Sequence, residues 1–447
     1  MITPRVILDP WAEAGYPPGV RGRISQGTAA DGGKMNDALL TKYANALLTA
    51  VNLREGQNLL VRGEPVHARF AGLLAREAYR RGARYVRFDN NESENPYTYA
   101  ARVEHSREEF LSYVPEFRIE FLRRAIEERW ALIAIRTPED PDFLSDLDPA
   151  RNAAVVKATA TAMADLQRRI SANEIAWLVA FMPTEKLAGR IMGMEPGTAA
   201  VEALWNVLIP ILKLDAPDPS AAWVAHCDTL AARAETLNAL ALSEVRFVGP
   251  GTDLRIGLAE RSRWRGGPDT TKDGRRFSPN IPTEEVFTSP DCRIAEGEVR
   301  FTRPVLLPSI GKIVEGGRLV IKGGVAVEWD ASSGKDALDT YFAIDPGARR
   351  LGEVALVDGS SAIFKADKVF YNILFDENAS CHIALGSAYP SCYEGGDAAG
   401  KEELAAIGAN ESSVHTDFMI GGPEVSVIGT KRAGGEVVII EKGEFKI

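Results

Sequence analysis

Cysteine is sparse in this chain, and no pair has metal-site or redox spacing. Cys227, Cys292, Cys381 and Cys392 are scattered without a C-x-x-C, which excludes a zinc knuckle and a thioredoxin-like motif and leaves free thiols. Positive charge is also in deficit: 52 Lys and Arg against 62 Asp and Glu, a net charge of -10. No nucleic-acid partner is expected from that balance, which suits a soluble, mildly acidic enzyme. No stretch approaches the ~18 to 20 consecutive apolar residues of a membrane span, so no membrane partner is expected. The opening MITPRVILDPWAEAGYPPG is broken by Asp9, Pro10 and Glu13 and lacks a signal-peptide core, so a cytoplasmic location is expected. Histidine is limited to His67, His105, His226, His382 and His415, so any metal or acid-base site draws on few of them. No internal repeat is evident.

What is present is a 45% hydrophobic chain of 447 residues, enough for two or three domains with real cores. Residues 1–35 hold Pro4, Pro10, Pro17 and Pro18 and read as an irregular arm. The three- and four-residue spacing of Leu40, Tyr43, Ala44, Leu47, Leu48 and Val51 predicts a helix from Asp37 to Asn52. A strand near Asn58 to Val61, a helix from His67 to Arg80 closed by Gly82, and a strand near Tyr85 to Phe88 then make a βαβ unit. Apolar runs at Ala131 to Ile135 and Ile175 to Phe181 alternate with the charged stretches Ser106 to Glu128 and Pro149 to Arg169, both read as helices. The implied class is α/β, with a mostly parallel sheet in a domain of residues 36–242 closed by a helix from Pro219 to Leu242. After Ser243, short β-branched runs at Val245 to Val248, Leu254 to Leu258, Val299 to Phe301, Gly317 to Ile321 and Val437 to Ile440 predict a strand-rich α+β domain of residues 243–447. The polar segment Arg263 to Asn280 reads as a mobile loop.

Four segments of that second domain carry the chemistry: NIPTEEVFTSP from Asn280, LGEVALVD from Leu351, FDENASCHIALGSAY from Phe375 and SSVHTDFMIG from Ser412. Each sets a carboxylate or imidazole beside apolar or small residues, where charge is costly unless a cation or hydrogen bonds compensate it. His415 and Asp417 stand at i and i+2, so on a strand they share a face and could ligate one ion. An isolated His-x-Asp also reads as a strand-end histidine bonded to a carboxylate. Glu377, His382 and Tyr389 could meet around a turn, or Asp376, Asn378 and Ser380 could simply cap that loop. Glu353 reads either as a carboxylate at a strand start aimed inward or as a solvated edge residue. Glu284 and Glu285 face opposite ways on an extended chain, and the residues alone do not choose which reaches a site.

Together, PTEEVFTSP, LGE, FDENASCHIALG followed by Tyr, and HTDFMIG resemble the metallo-aminopeptidase family typified by aminopeptidases T and S, from about Leu242 to the C-terminus. The resemblance implies two adjacent divalent ions held by Glu285, Glu353, His382, His415 and Asp417, with Glu377 as ligand or outer partner. Ligation by oxygen and nitrogen without cysteine suits Zn, Co or Mn. It also implies Tyr389 as an active-site tyrosine, Glu353 as a bridge between the ions, and hydrolysis of peptides with a free N-terminus by activated water. A homodimer with its site at the junction of the two domains is implied as well. Glu284 or Glu377 is the candidate anchor for the substrate amine. The start, residues 1–35, does not align with that family.

A second enzyme class on such a fold is a mononuclear iron dioxygenase cleaving hydroxylated rings, for which His382, His415 and Asp417 suffice. Glu285 and Glu353 would then have no role. A noncatalytic binding protein is a third reading, opposed by the full ligand set. His67, His105 and His226 read as structural, and the stretches Arg76 to Arg87 and Arg123 to Arg129 as solvated helix faces.

Overall fold

Alternating apolar strands and amphipathic helices fold the first half as a parallel sheet with helices about it, in a computed structural model that describes residues 37–90, 95–144, 146–307 and 310–447. The expected N-terminal arm lies outside the described residues. The helix Asp37–Ala50 buries Leu40, Tyr43, Ala44, Leu47 and Leu48, the stripe its spacing requires. Strands Asn58–Arg62, Tyr85–Asp89, Ala131–Ile135 and Trp177–Ala180 run parallel. Every residue of Ala131–Ile135 is buried, as a run covered on both faces should be. Helices Ala68–Arg80 and Pro149–Ser171 stand close to their expected bounds, the second capped by Asp148, which accepts from the Ala150 and Arg151 amides.

The charged stretch read as one helix from Ser106 to Glu128 is not one. A helix Pro96–His105 ends there, and a new one, Glu116–Glu127, starts after Pro115. Proline has no N–H and disfavours helical geometry in the residue before it, so the chain must restart. Two further helices, Glu185–Met192 and Thr198–Ile211, occupy residues for which the sequence reading made no assignment. Helix Pro219–Ala239 follows, capped by Asp218.

The second half is antiparallel. An eight-stranded sheet runs in the order Val325–Asp330, Arg318–Lys322, Ala295–Arg300, Thr252–Gly257, Leu242–Gly249, Ser426–Lys431, Glu436–Glu441, Glu444–Phe445. A five-stranded sheet runs His415–Met419, His382–Gly386, Leu351–Val357, Glu285–Thr288, Arg265–Gly266. One face of the five-stranded sheet, carrying Val286, Val354, Leu356, Ile383, Leu385 and Phe418, shares a core with Val245, Phe247, Leu254, Val299 and Leu319 of the larger sheet.

The expected mobile loop from Arg263 to Asn280 is instead built into the fold. Arg265–Gly266 edges the five-stranded sheet, and Asn280–Ile281 crosses to pair in parallel with Trp177–Ala180 of the first sheet. Gly267 explains the tight path: at φ +74° it lies so close to helix Pro219–Ala239 that a Cβ would sit 2.2 Å from the Cys227 carbonyl oxygen. Elsewhere the halves meet where Phe181 packs edge-on to Phe375, centroids 4.9 Å apart, and Asn372 Nδ2 donates to the Arg136 carbonyl at 2.8 Å. Among the described residues no helix is long and apolar enough to cross a membrane.

Candidate metal centre

Register places the ionisable residues on one face. Glu353 lies opposite Ala384, and Ala384 opposite Asp417; His382 lies opposite Ala355, His415 opposite Gly386, and Glu285 opposite Val357. Side chains alternate along a strand, so Glu285, Glu353, His382, His415 and Asp417 all project away from the apolar core face. Ala355 and Ala384 sit between them and leave the space their longer neighbours fill. These alanines are site residues that the sequence reading missed. The signal was available in the alternation of small and charged residues, but only the strand pairing shows which small residue lies between which charges.

The atoms converge. His382 Nε2 lies 3.2 Å from Glu285 Oε2, 3.9 Å from Glu353 Oε1 and 4.0 Å from Asp417 Oδ1. His415 Nε2 lies 3.3 Å from Glu353 Oε2 and 3.5 Å from Asp417 Oδ1. Two sets of ligand atoms, Glu285 with Glu353 and His382, and Glu353 with His415 and Asp417, each fall within 4.8 Å. Glu353 belongs to both. The Glu353, His382 and Asp417 side chains are at most 5% exposed.

Each imidazole is aimed from behind. His382 Nδ1 bonds the Ser380 carbonyl at 3.1 Å and His415 Nδ1 the Ser387 carbonyl at 2.7 Å. A carbonyl only accepts, so each Nδ1 carries a proton and each Nε2 is the nitrogen left facing the carboxylates, where a proton sits in the bare cluster and a metal ion would take its place. Glu285 Oε2 and Asp417 Oδ1 are buried with no hydrogen-bond partner, an expensive state that a bound cation removes. The residues therefore fit a divalent metal.

Charges within the bare cluster are strongly perturbed. Burial works against a charged His382, but Glu285, Asp417 and Glu353 more than reverse this, pushing it up to about 10. Burial lifts Glu353 to about 7, opposed by His415 and aided by Glu285 and Asp417. Burial would raise Asp417 too, yet His415 and His382 hold it below its usual range.

Glu377 stands in neither ligand set. It precedes the His382 strand in a short 3-10 turn, and burial together with Glu285 and Asp417 raises it well above the usual carboxylate range. Asn378 fixes it: Nδ2 donates to Glu377 Oε1 at 3.3 Å and to the Leu374 carbonyl at 3.1 Å, while Oδ1 accepts the Glu284 amide at 2.7 Å. Loop capping is real as well, since Asp376 accepts from the amides of Phe370 and Asn372. Tyr389 packs on His415, centroids 4.8 Å apart, and is 43% exposed.

Glu284 is not brought to this cluster. It points to the other side of the strand, its carboxylate 3.6 Å from His226 Nε2, and burial lifts it to about 7. His67 and His105 also lie outside both ligand sets.

A mixed α/β fold with buried imidazoles and carboxylates on one face of an antiparallel sheet defines a metalloprotein with a hydrolytic type of ligand set. The chain belongs to the thermophilic metalloprotease family (M29), whose pattern matches residues 36–445. It is 37% identical to aminopeptidase 2 of Geobacillus stearothermophilus over 91% of this chain and 97% of that protein. With aminopeptidase T of Thermus aquaticus it shares 38% identity over 91% and 98%. The solved structure of wild-type AmpT from Thermus thermophilus superposes with a TM-score of 0.84 at 36% identity, covering 92% of this chain and all of that one.

Proposed function

We propose that this metallo-aminopeptidase works with two divalent ions, one at each ligand set, and that Glu353, common to both sets, would help to hold each of them. The supporting observation is that Glu353 is common to two sets of buried ligand atoms, each within 4.8 Å, in a cluster with two unpartnered carboxylate oxygens. Bound there, the ions supply Lewis acidity toward the scissile carbonyl and make water a competent nucleophile at neutral pH. Zn, Co and Mn all suit this donor set.

The chain's own residues do the rest. Glu285 and His382 would hold one ion, His415 and Asp417 the other, with the Ser380 and Ser387 carbonyls fixing the imidazoles. Glu377, outside both sets, takes a proton from the attacking water and returns it to the departing amine. Tyr389 donates a hydrogen bond to the oxygen on which negative charge develops. Glu284 faces a different cavity and is not available to anchor the free amino group of the peptide. The division at residue 242, the homodimer and the cytoplasmic location belong to the same proposal.

Metal analysis of the saturated protein should give about two divalent ions per chain, and acetylating the substrate's amino terminus should block cleavage. One iron per chain, with oxygen uptake on a dihydroxylated ring and no peptide hydrolysis, would overturn this reading in favour of the ring-cleaving alternative.

A further inference from the structure

Glu284 opens a second polar site behind the metal-bearing sheet. Extending the pairing of Glu285 with Val357 by one residue sets Glu284 opposite Asp358, two carboxylates where like charges repel. They line a cavity of about 230 Å³ with Lys213, His226, Arg233 and Ser360. Asp358 is fully engaged: Arg233 reaches its Oδ2 at 3.2 Å, as does the Phe445 amide at 3.3 Å, and the Ser360 amide donates to Oδ1 at 2.7 Å.

Glu284 is not engaged in this way. Its side chain is 8% exposed, and its carboxylate lies 3.6 Å from His226 Nε2. That nitrogen already bonds the Thr283 carbonyl at 2.8 Å, so its proton is spent there and it offers Glu284 nothing. No described residue donates a hydrogen bond to the Glu284 carboxylate. Lys213 is its complement. Its ammonium lies 5.1 Å from the Trp223 ring centroid and has no hydrogen-bond acceptor among the described residues. The cavity thus holds a buried carboxylate with no hydrogen-bond donor and an ammonium with no hydrogen-bond acceptor, close enough for the charge of Lys213 to act on Glu284 but too far apart to form an ion pair with it.

We infer that this cavity binds a small free α-amino acid, separately from the metal centre. The ammonium group meets Glu284, and the carboxylate meets Lys213 with help from Arg233. A cavity of about 230 Å³ has room for an amino acid with a small side chain. Glu284 adjoins Glu285, and its amide is held by the same Asn378 that holds Glu377, so occupancy is felt on the metal face. The binding claim stands on the cavity alone. That the bound amino acid would be a product released by this chain rests on the aminopeptidase reading.

The test is calorimetric titration of the metal-loaded full chain with L-alanine, N-acetyl-L-alanine and ethylamine. The expected result is an alanine site weakened at least tenfold in Lys213→Gln and in Thr229→Trp, which blocks the mouth from an exposed helix position. N-acetylalanine and ethylamine, each lacking one charge, should not occupy it. Hydrolysis of an aminoacyl-anilide without added amino acid should stay within twofold of the wild type in both variants. Alanine binding unchanged in both folded variants would place all of it at the metal centre and overturn the inference. Equal binding of all three probes would overturn it as well. If peptide hydrolysis itself is absent, the titrations still read out, so the two claims fail separately.

Discussion

Two histidines, equally buried, show how differently the two halves of the chain treat a polar group. His67, in the 3-10 turn between the first parallel strand and helix Ala68–Arg80, is 2% exposed, and neither ring nitrogen has a partner. Burial alone pushes it down to about 4, so it stays neutral. His382, 1% exposed in the antiparallel sheet, is pushed up to about 10 because three carboxylates outweigh the same burial. In the parallel sheet the central strand Ala131–Ile135 is wholly apolar. The five-stranded sheet gathers opposite charges on one face and keeps the other apolar. Burial by itself does not mark a site, whereas convergence of unneutralised donors and acceptors does.

The comparison breaks most severely at Glu353. Replacing it with Ala removes the residue shared by both ligand sets, so activity should fall by well over the ~100-fold that an outer partner of a metal ligand is worth. Metal content should fall with it, while circular dichroism shows the fold retained. His67→Gln under the same assay should keep its activity. A comparable loss at His67 would move the site to the parallel sheet.

A smaller effect is expected at Tyr389, which lies beside the cluster without belonging to a ligand set. Tyr389→Phe should lower kcat about a hundredfold, the scale of one oxyanion donor, with less change in KM. Unchanged kcat would reduce the phenol to a packing contact on His415.

The mildest prediction concerns stability and sharpens the contrast from the other side. His67 binds its proton near pH 4 in the folded chain and near 6.5 when unfolded. The unfolded state therefore takes up more protons between those values, and stability falls as pH drops through that window, by roughly 3 kcal/mol. Urea denaturation at pH 7 and at 4.5 should show a smaller acid loss in His67→Gln than in the wild type. Equal acid sensitivity in both would mean that His67 is more accessible to water than its burial indicates.

Much of this was legible because local chemistry and tertiary structure agree. The helix stripe around Leu40 and Leu47, the buried run Ala131–Ile135 and the β-branched runs after Ser243 all form the expected type of element. His415 and Asp417 share a face because the strand period demands it. The same rule puts Glu284 and Glu285 on opposite faces, but it cannot say which face looks toward His382. That was settled by the pairing of Glu285 with Val357, a contact across 72 positions. The loop reading of Arg263 to Asn280 failed for a related reason. Its glycines and charges are what a loop shows, yet they serve a close approach to a helix far away in sequence.

The sequence by itself determined the alternating α/β first half, the strand-rich second half, and the residue types able to hold a metal. These follow from periodicity and side-chain chemistry, which act within a few positions. Only the tertiary structure decided that Glu353 is shared between two ligand sets, that Ala384 lies between it and Asp417, and that Glu284 opens a cavity of its own. Those facts depend on strand register and on which backbone lies beside which, set by packing across the whole chain rather than by any local run of residues.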